Sequence, residues 1–105
     1  MPYGLNDTNF GQILSVLAMN QQVESAILFG SRAKGTFKPG SDVDIALKGP
    51  ALKLKDILAL QNLLDDFDQP YIFDLILYHT ITEPSLISHI ERTGIEIFRR
   101  TDQQG

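Results

Sequence analysis

The chain has 105 residues, a net charge of −4 and no cysteine. This length suits one domain, and the missing cysteines exclude a disulfide framework and thiolate metal sites. The acidic balance argues against a domain that grips duplex nucleic acid by its backbone. Hydrophobic residues make up 43% without a low-complexity tract, so we expect a folded core burying roughly 65% of the unfolded surface. Met1 to Asp7 show no basic and apolar leader pattern, and no apolar run approaches ~18 residues, so neither a signal peptide nor a membrane span is expected. The absence of cysteine fits a reducing cytoplasm.

In chain order, Asn6, Asp7 and Thr8 offer N-caps for a first helix, whose apolar face is Phe10, Ile13, Leu14 and Leu17. Val23 to Phe29 reads as a strand buried on both faces, and Gly30 breaks it. Ser31 to Lys34 suits a short helical turn. Gly35 to Gly40 is a loop containing the turn signal Pro39-Gly40. Asp42 to Leu47 reads as a second strand, and Gly49-Pro50 interrupts before a second amphipathic helix over about 52–67, with Ile57, Leu60, Leu64 and Phe67 inward. Tyr71 to Tyr78 is a third strand, apolar but for Asp74. Thr82 caps a last helix with Pro84 in its first turn and Leu86, Ile87 and Ile90 inward. Gly94 suits its C′ position, Ile95 to Arg99 alternates as a closing strand, and 101–105 is a polar, frayed tail. The expected fold is a single α/β (α+β) domain, ordered over about 6–100, with a mixed sheet of about four strands and helices packed on it.

The polar chemistry concentrates between Gly30 and Leu47. Arg32, Lys34 and Lys38 form a local basic patch on an acidic protein, which suits a compact anionic ligand better than a polymer. A separate acidic cluster, Asp65, Asp66 and Asp68, follows later. Asp42 and Asp44 stand two apart on a predicted strand and so leave the same face. Two neighbouring carboxylates repel unless a cation lies between them, and Mg²⁺ takes oxygen ligands from one or two carboxylates, phosphates and water. Asp74 is a lone charge in an apolar strand, where it needs a partner. If its strand lies near that of Asp44, three carboxylates suffice for two metal ions ~3.5–4 Å apart, the clamp for in-line phosphoryl displacement. Gly30 allows close approach of a phosphate, the turn after it offers N–H groups and the Ser31 hydroxyl, and Arg32 and Lys34 add charge. A Walker A loop is excluded, because Thr36 and Phe37 follow Gly35 where Lys and Ser/Thr are needed.

Gly30-Ser31, Gly35, Ser41-Asp42-Val43-Asp44 and the later Asp74 together resemble the signature of the DNA polymerase β-type nucleotidyltransferase superfamily. The fuller pattern Gly-Ser-x-Ala-Arg-Gly…Ser-Asp-x-Asp is similar to the minimal nucleotidyltransferases (MNT proteins). Lys34 departs from it, keeping the charge of the usual Arg without its bidentate fork. The resemblance implies that Gly30 and Ser31 bind the triphosphate of a nucleotide, Asp42 and Asp44 hold two Mg²⁺ ions, and Asp74 completes the ion that activates an acceptor hydroxyl. It implies transfer of AMP from ATP to a hydroxyl, a tyrosine by preference, on a HEPN-family toxin, with the chain as antitoxin in a hetero-oligomer.

Each feature also has a plain structural reading. An Asp-x-Asp after a Pro-Gly turn is commonly a capped loop end, Gly30 and Gly35 are ordinary turn residues, and Asp74 could pair with Arg99 or Arg100. Lys38 reads as loop solubility, Ser41 as a brace for the Asp-x-Asp strand, His89 as an ordinary residue, and His79, which follows the Asp74 strand and could lie near the site, as a surface residue by preference; Tyr3, Tyr71 and Tyr78 carry no assigned role. Joint occurrence in this order and spacing favours the site. Two other functions compete: a non-catalytic module that neutralises its partner by contact, and a small-molecule nucleotidyltransferase, for which the chain lacks residues to build an acceptor-binding domain.

Overall fold

A computed structural model describes residues 2–67 and 69–101; Asp68 of the acidic cluster and all of the predicted tail except Thr101 lie outside them. A 3-10 turn at Pro2–Gly4 precedes helix α1 (Asp7–Met19), strand β1 (Ser25–Phe29), the short helix α2 (Ser31–Lys34) and strand β2 (Val43–Lys48). Helix α3 (Leu54–Asp65), strand β3 (Phe73–Leu77), a 3-10 turn (Tyr78–Thr80), helix α4 (Pro84–Thr93) and strand β4 (Ile95–Arg99) complete the order. The strands form one mixed four-stranded sheet in the order β3-β2-β1-β4. β1 is antiparallel to both β2 and β4, whereas β2 and β3 are parallel, as the intervening α3 crossover requires.

Alternation along the strands divides the core in two. Ala26 and Leu28 of β1, Val43, Ile45 and Leu47 of β2, and Phe73 and Leu75 of β3 pack with Ile13, Val16 and Leu17 of α1 and Ile57, Leu60 and Leu64 of α3. The opposite face holds a smaller cluster, Ile27, Phe29, Ala46 and Ile90, covered by α4 together with Tyr78 and Ile81 from the preceding turn. Each fully buried aliphatic side chain on the first face contributes roughly 1.5–3 kcal/mol, so this layer anchors the sheet. The second face is left partly open, and its open end carries the acids.

Several boundaries move by one or two residues from their expected positions, for local reasons. Asn6 is the α1 cap, its Oδ1 accepting from the Asn9 N–H at 2.7 Å, and Val16 replaces Phe10 and Leu14 on the fully buried stripe. α3 begins at Leu54 rather than 52, because the Lys53 N–H donates to Asp56 Oδ2 at 2.8 Å and fixes the first turn there. β3 spans Phe73–Leu77 instead of 71–78, since Tyr78 already turns into the 3-10 segment. Glu83, not Thr82, is the N-cap of α4, and Pro84 occupies its first turn. Gly94 is not a left-handed C′ residue: its backbone is extended (φ −70°). Glycine is required there by packing, as a Cβ would come within 2.5 Å of Ile27 Cγ2 and overlap the Ile90 carbonyl.

Candidate active site

The acids meet because of strand registry. Asp44 pairs across the antiparallel ladder with Phe29, the last residue of β1, and across the parallel ladder with Asp74. Adjacent strands lie about 4.8 Å apart, so the end of β1 and the starts of β2 and β3 deliver Gly30, Asp44 and Asp74 to one spot. By alternation Asp44 shares the sheet face of Ala46, and Asp74 that of Ile76, the face under α4. Asp42 stands one residue before β2 instead of within it. It is exposed, as is Asp74, while Asp44 is half-buried.

Gly30 sits directly over Asp44. Its φ of +79° suits glycine, and a Cβ at this position would overlap Asp44 Oδ2. No larger residue can occupy the site without displacing the carboxylate. Gly30 is also the N-cap of α2, its carbonyl accepting from the Lys34 N–H at 3.1 Å. Ser31 opens that helix, half-buried, beside the acids.

The electrostatics follow from this crowding. Burial raises the pKa of Asp44 first, the Asp74 charge adds to it, and the Asp42 charge adds further. The negative field of the three groups therefore converges on Asp44, which binding of a cation would relieve. Among the described residues no three His, Cys, Asp or Glu side chains are gathered tightly enough to enclose a metal ion as they stand.

The four candidate phosphate ligands separate. Gly30 and Ser31 adjoin the acids, and Lys34 is exposed at the end of α2. Arg32 is different: it is 3% exposed, and its guanidinium points into the scaffold. Nε and Nη2 both donate to the Ser41 carbonyl at 3.2 and 2.9 Å, and Nη1 donates to the Tyr3 carbonyl at 3.0 Å. The rings of Phe37 and Tyr71 flank it, each centroid 5.2 Å away. Arg32 thus differs from the exposed phosphate ligand expected of it: each guanidinium nitrogen donates to a backbone carbonyl and its charge is buried against two rings. Tyr3 and Tyr71, which the sequence left without a role, are its partners together with Phe37. The one available signal was an aromatic residue, Phe37, inside an otherwise polar loop.

Ser41 braces the loop, its Oγ accepting from the Lys38 N–H at 2.8 Å. Asp74 does not pair with Arg99 or Arg100, which belong to the opposite edge of the sheet. Arg99 binds Glu96 at 2.9 Å, and Arg100 donates to the carbonyls of Val23, Ala18 and Asn20. His79 is exposed, and His89 stands edge-on to Phe29. A cavity of about 540 Å³ lined by Ala18, Gln21, Phe98 and Arg100 lies at that opposite edge, away from the acids.

Residues 11–103 match the family described as polymerase beta, nucleotidyltransferase. No curated protein matches the chain. Among solved structures, a chain of a toxin–antitoxin complex with AMP-PNP is 26% identical, with a TM-score of 0.71, 91% of this chain and 77% of that one being covered. A chain of the MntA–HepT toxin–antitoxin complex is 22% identical with a TM-score of 0.65, covering 94% and 76%. A chain of the complex of tri-AMPylated Shewanella oneidensis HEPN toxin with MNT antitoxin is 21% identical with a TM-score of 0.67, covering 95% and 76%. The last two, below 25% identity, are likenesses of fold.

Proposed function

The chain belongs to the polymerase β-type nucleotidyltransferase family, and from that membership we propose that it transfers AMP from ATP to a hydroxyl, by preference a tyrosine, of a HEPN-family toxin, and so acts as its antitoxin. The observation that carries this reading is the row Gly30–Asp44–Asp74, aligned by registry at the open end of the sheet. The 26% identical neighbour solved as a toxin–antitoxin complex with AMP-PNP supports the nucleotide and the partner class.

Asp42, Asp44 and Asp74 are a hard oxygen donor set suited to Mg²⁺, and the space beside Asp44 Oδ2 exists because Gly30 has no Cβ to fill it. Three carboxylates that do not enclose an ion by themselves fit ions that arrive with substrate phosphates as further ligands. When bound, Mg²⁺ polarises the transferred phosphoryl group and stabilises both the attacking and the leaving oxygen. Gly30 and Ser31 hold the triphosphate against the end of β1, with Lys34 adding charge from solvent. Asp74, on the edge strand, orients the acceptor hydroxyl for attack on the α-phosphorus of ATP. The new O–P bond forms as the hydroxyl gives up its proton to the Asp74 carboxylate, which passes it to solvent, and as the bond to the β-phosphate oxygen breaks, so that pyrophosphate leaves.

The chain, ATP, Mg²⁺ and the purified toxin are to be incubated together and the toxin weighed by mass spectrometry. Additions of one or more AMP masses are expected, absent with Asp44→Asn. A toxin that gains no mass yet is neutralised equally by wild type and by Asp42→Asn/Asp44→Asn would establish a contact-only antitoxin instead. That second reading is favoured by the exposed apolar side chains Met19, Leu54, Leu58 and Ile72, which offer docking area outside the acid row.

A further inference from the structure

We propose that Arg32 is a positioning residue for the transfer reaction, a strut that sets the spacing of the phosphate turn and the carboxylates and makes the amino-terminal turn part of the catalytic scaffold. The proposal rests on the nucleotidyltransferase reading above. Arg32 is a fully buried cation with no acidic side chain within ion-pair distance among the described residues. A buried charge without a counter-ion is costly unless every donor finds an acceptor and its faces find polarisable partners. Arg32 goes far toward that condition: each of its three nitrogens donates to a carbonyl, of Ser41 or Tyr3, and two aromatic rings lie against the group.

What those partners adjoin gives the strut its purpose. Arg32 directly follows Ser31 of the phosphate turn. Its forked contact holds the carbonyl of Ser41, the peptide that leads into Asp42. Tyr71, stacked on its other side, precedes Ile72, whose carbonyl accepts the Val43 N–H at 2.8 Å and starts the β2–β3 ladder that carries Asp44 and Asp74. One planar group therefore touches the backbone or side chain next to each segment of the site. Registry aligns Asp44 with Asp74, but Asp42 lies outside the ladder, so its position depends on this tether.

The third contact reaches the chain's first turn. Nη1 donates to the Tyr3 carbonyl, which is presented by a backbone in the left-handed region at both Tyr3 (φ 59°) and Gly4 (φ 75°). A Cβ on Gly4 would come within 2.8 Å of Arg32 Nη1 and overlap the Phe37 ring. A non-glycine residue there strains the turn and pushes on the guanidinium together. The pairing of a glycine at position 4 with an arginine at position 32 is thus a single device.

Lysine cannot supply the fork, so Arg32→Lys is expected to lower kcat for AMP transfer to the toxin about 10–100-fold, the range in which a displacement of roughly 1 Å acts. KM for ATP and the affinity for AMP-PNP with Mn²⁺ are expected to stay within about threefold. Gly4→Ala, which leaves Arg32 in place, is expected to reproduce the kcat loss in milder form. A KM for ATP raised more than tenfold by Arg32→Ala, largely restored by Arg32→Lys, with kcat unchanged, would overturn the proposal in favour of direct phosphate binding. Amide NMR resonances provide a readout independent of transfer. In Arg32→Lys and Gly4→Ala those of Ser31, Asp42 and Val43 are expected to shift while those of β4 remain. Unmoved resonances at Asp42 would overturn the strut whether or not the protein transfers AMP. Wild type that transfers no AMP yet shows these shifts in the variants overturns the assigned reaction and leaves the strut standing.

Discussion

The two arginines at positions 32 and 100 use the same chemistry at opposite edges of the molecule. Both direct their forks at neutral backbone carbonyls, three hydrogen bonds each, and both lie beside aromatic rings. Arg32 joins segments that carry the acids. Arg100 ties the end of β4 to Ala18 in the last turn of α1 and to Asn20 and Val23 in the connection to β1, and its own N–H donates to the Glu24 carbonyl at 2.8 Å. A guanidinium bonded to carbonyls is a splice between chain segments, and its functional weight depends on what the spliced segments hold.

The largest effect that sharpens this contrast is removal of an acid from the site edge. Asp44→Asn is expected to reduce AMP transfer at least about 10²–10³-fold, measured as initial rate of toxin modification. The same variant is expected to raise Tm by a few degrees at neutral pH in the absence of divalent cation. The sign follows from the raised pKa of Asp44. Folding is then favoured by protonation, so the charged group weakens the fold as pH rises above the ordinary carboxylate range, and the neutral variant escapes that loss. Its advantage is expected to vanish in acid, where the wild-type aspartate is protonated.

Next in size, Arg100→Ala is expected to cost about 1–3 kcal/mol of stability, read from urea denaturation. Transfer by the folded fraction is expected to change less than about twofold. A large kcat loss with Arg100→Ala would break the comparison, because it would show the far edge coupled to the acids. Smallest is Lys34→Ala, which removes an exposed cation from the end of α2. An increase of about two- to fivefold in KM for ATP is expected, diminishing at high salt as screening replaces the lost charge's contribution.

Much of this protein was legible in one dimension. Helical and alternating periodicities are local consequences of backbone geometry, so α1, α3, α4 and the four strands stand within a few residues of their expected places. The order of elements implied a mixed sheet under helices, as observed. Gly30-Ser31 and Asp-x-Asp were visible because spacing along a turn and a strand is itself a spatial statement. Boundaries were less legible, since they depend on single capping contacts such as Lys53 with Asp56.

By itself the sequence determined the elements, the family signature and the identity of the acids, all properties of short-range pattern and residue chemistry. Only the tertiary structure decided which strands are neighbours, and so that Asp44 faces Asp74 and that Gly30 closes over Asp44. It likewise decided that the Arg32 side chain is directed to the carbonyls of Ser41 and Tyr3. The reason is physical: an arginine beside a glycine-serine turn has the same local sequence whether its long side chain goes out to an anion or in to a carbonyl. Burial, set by residues far along the chain, makes that choice.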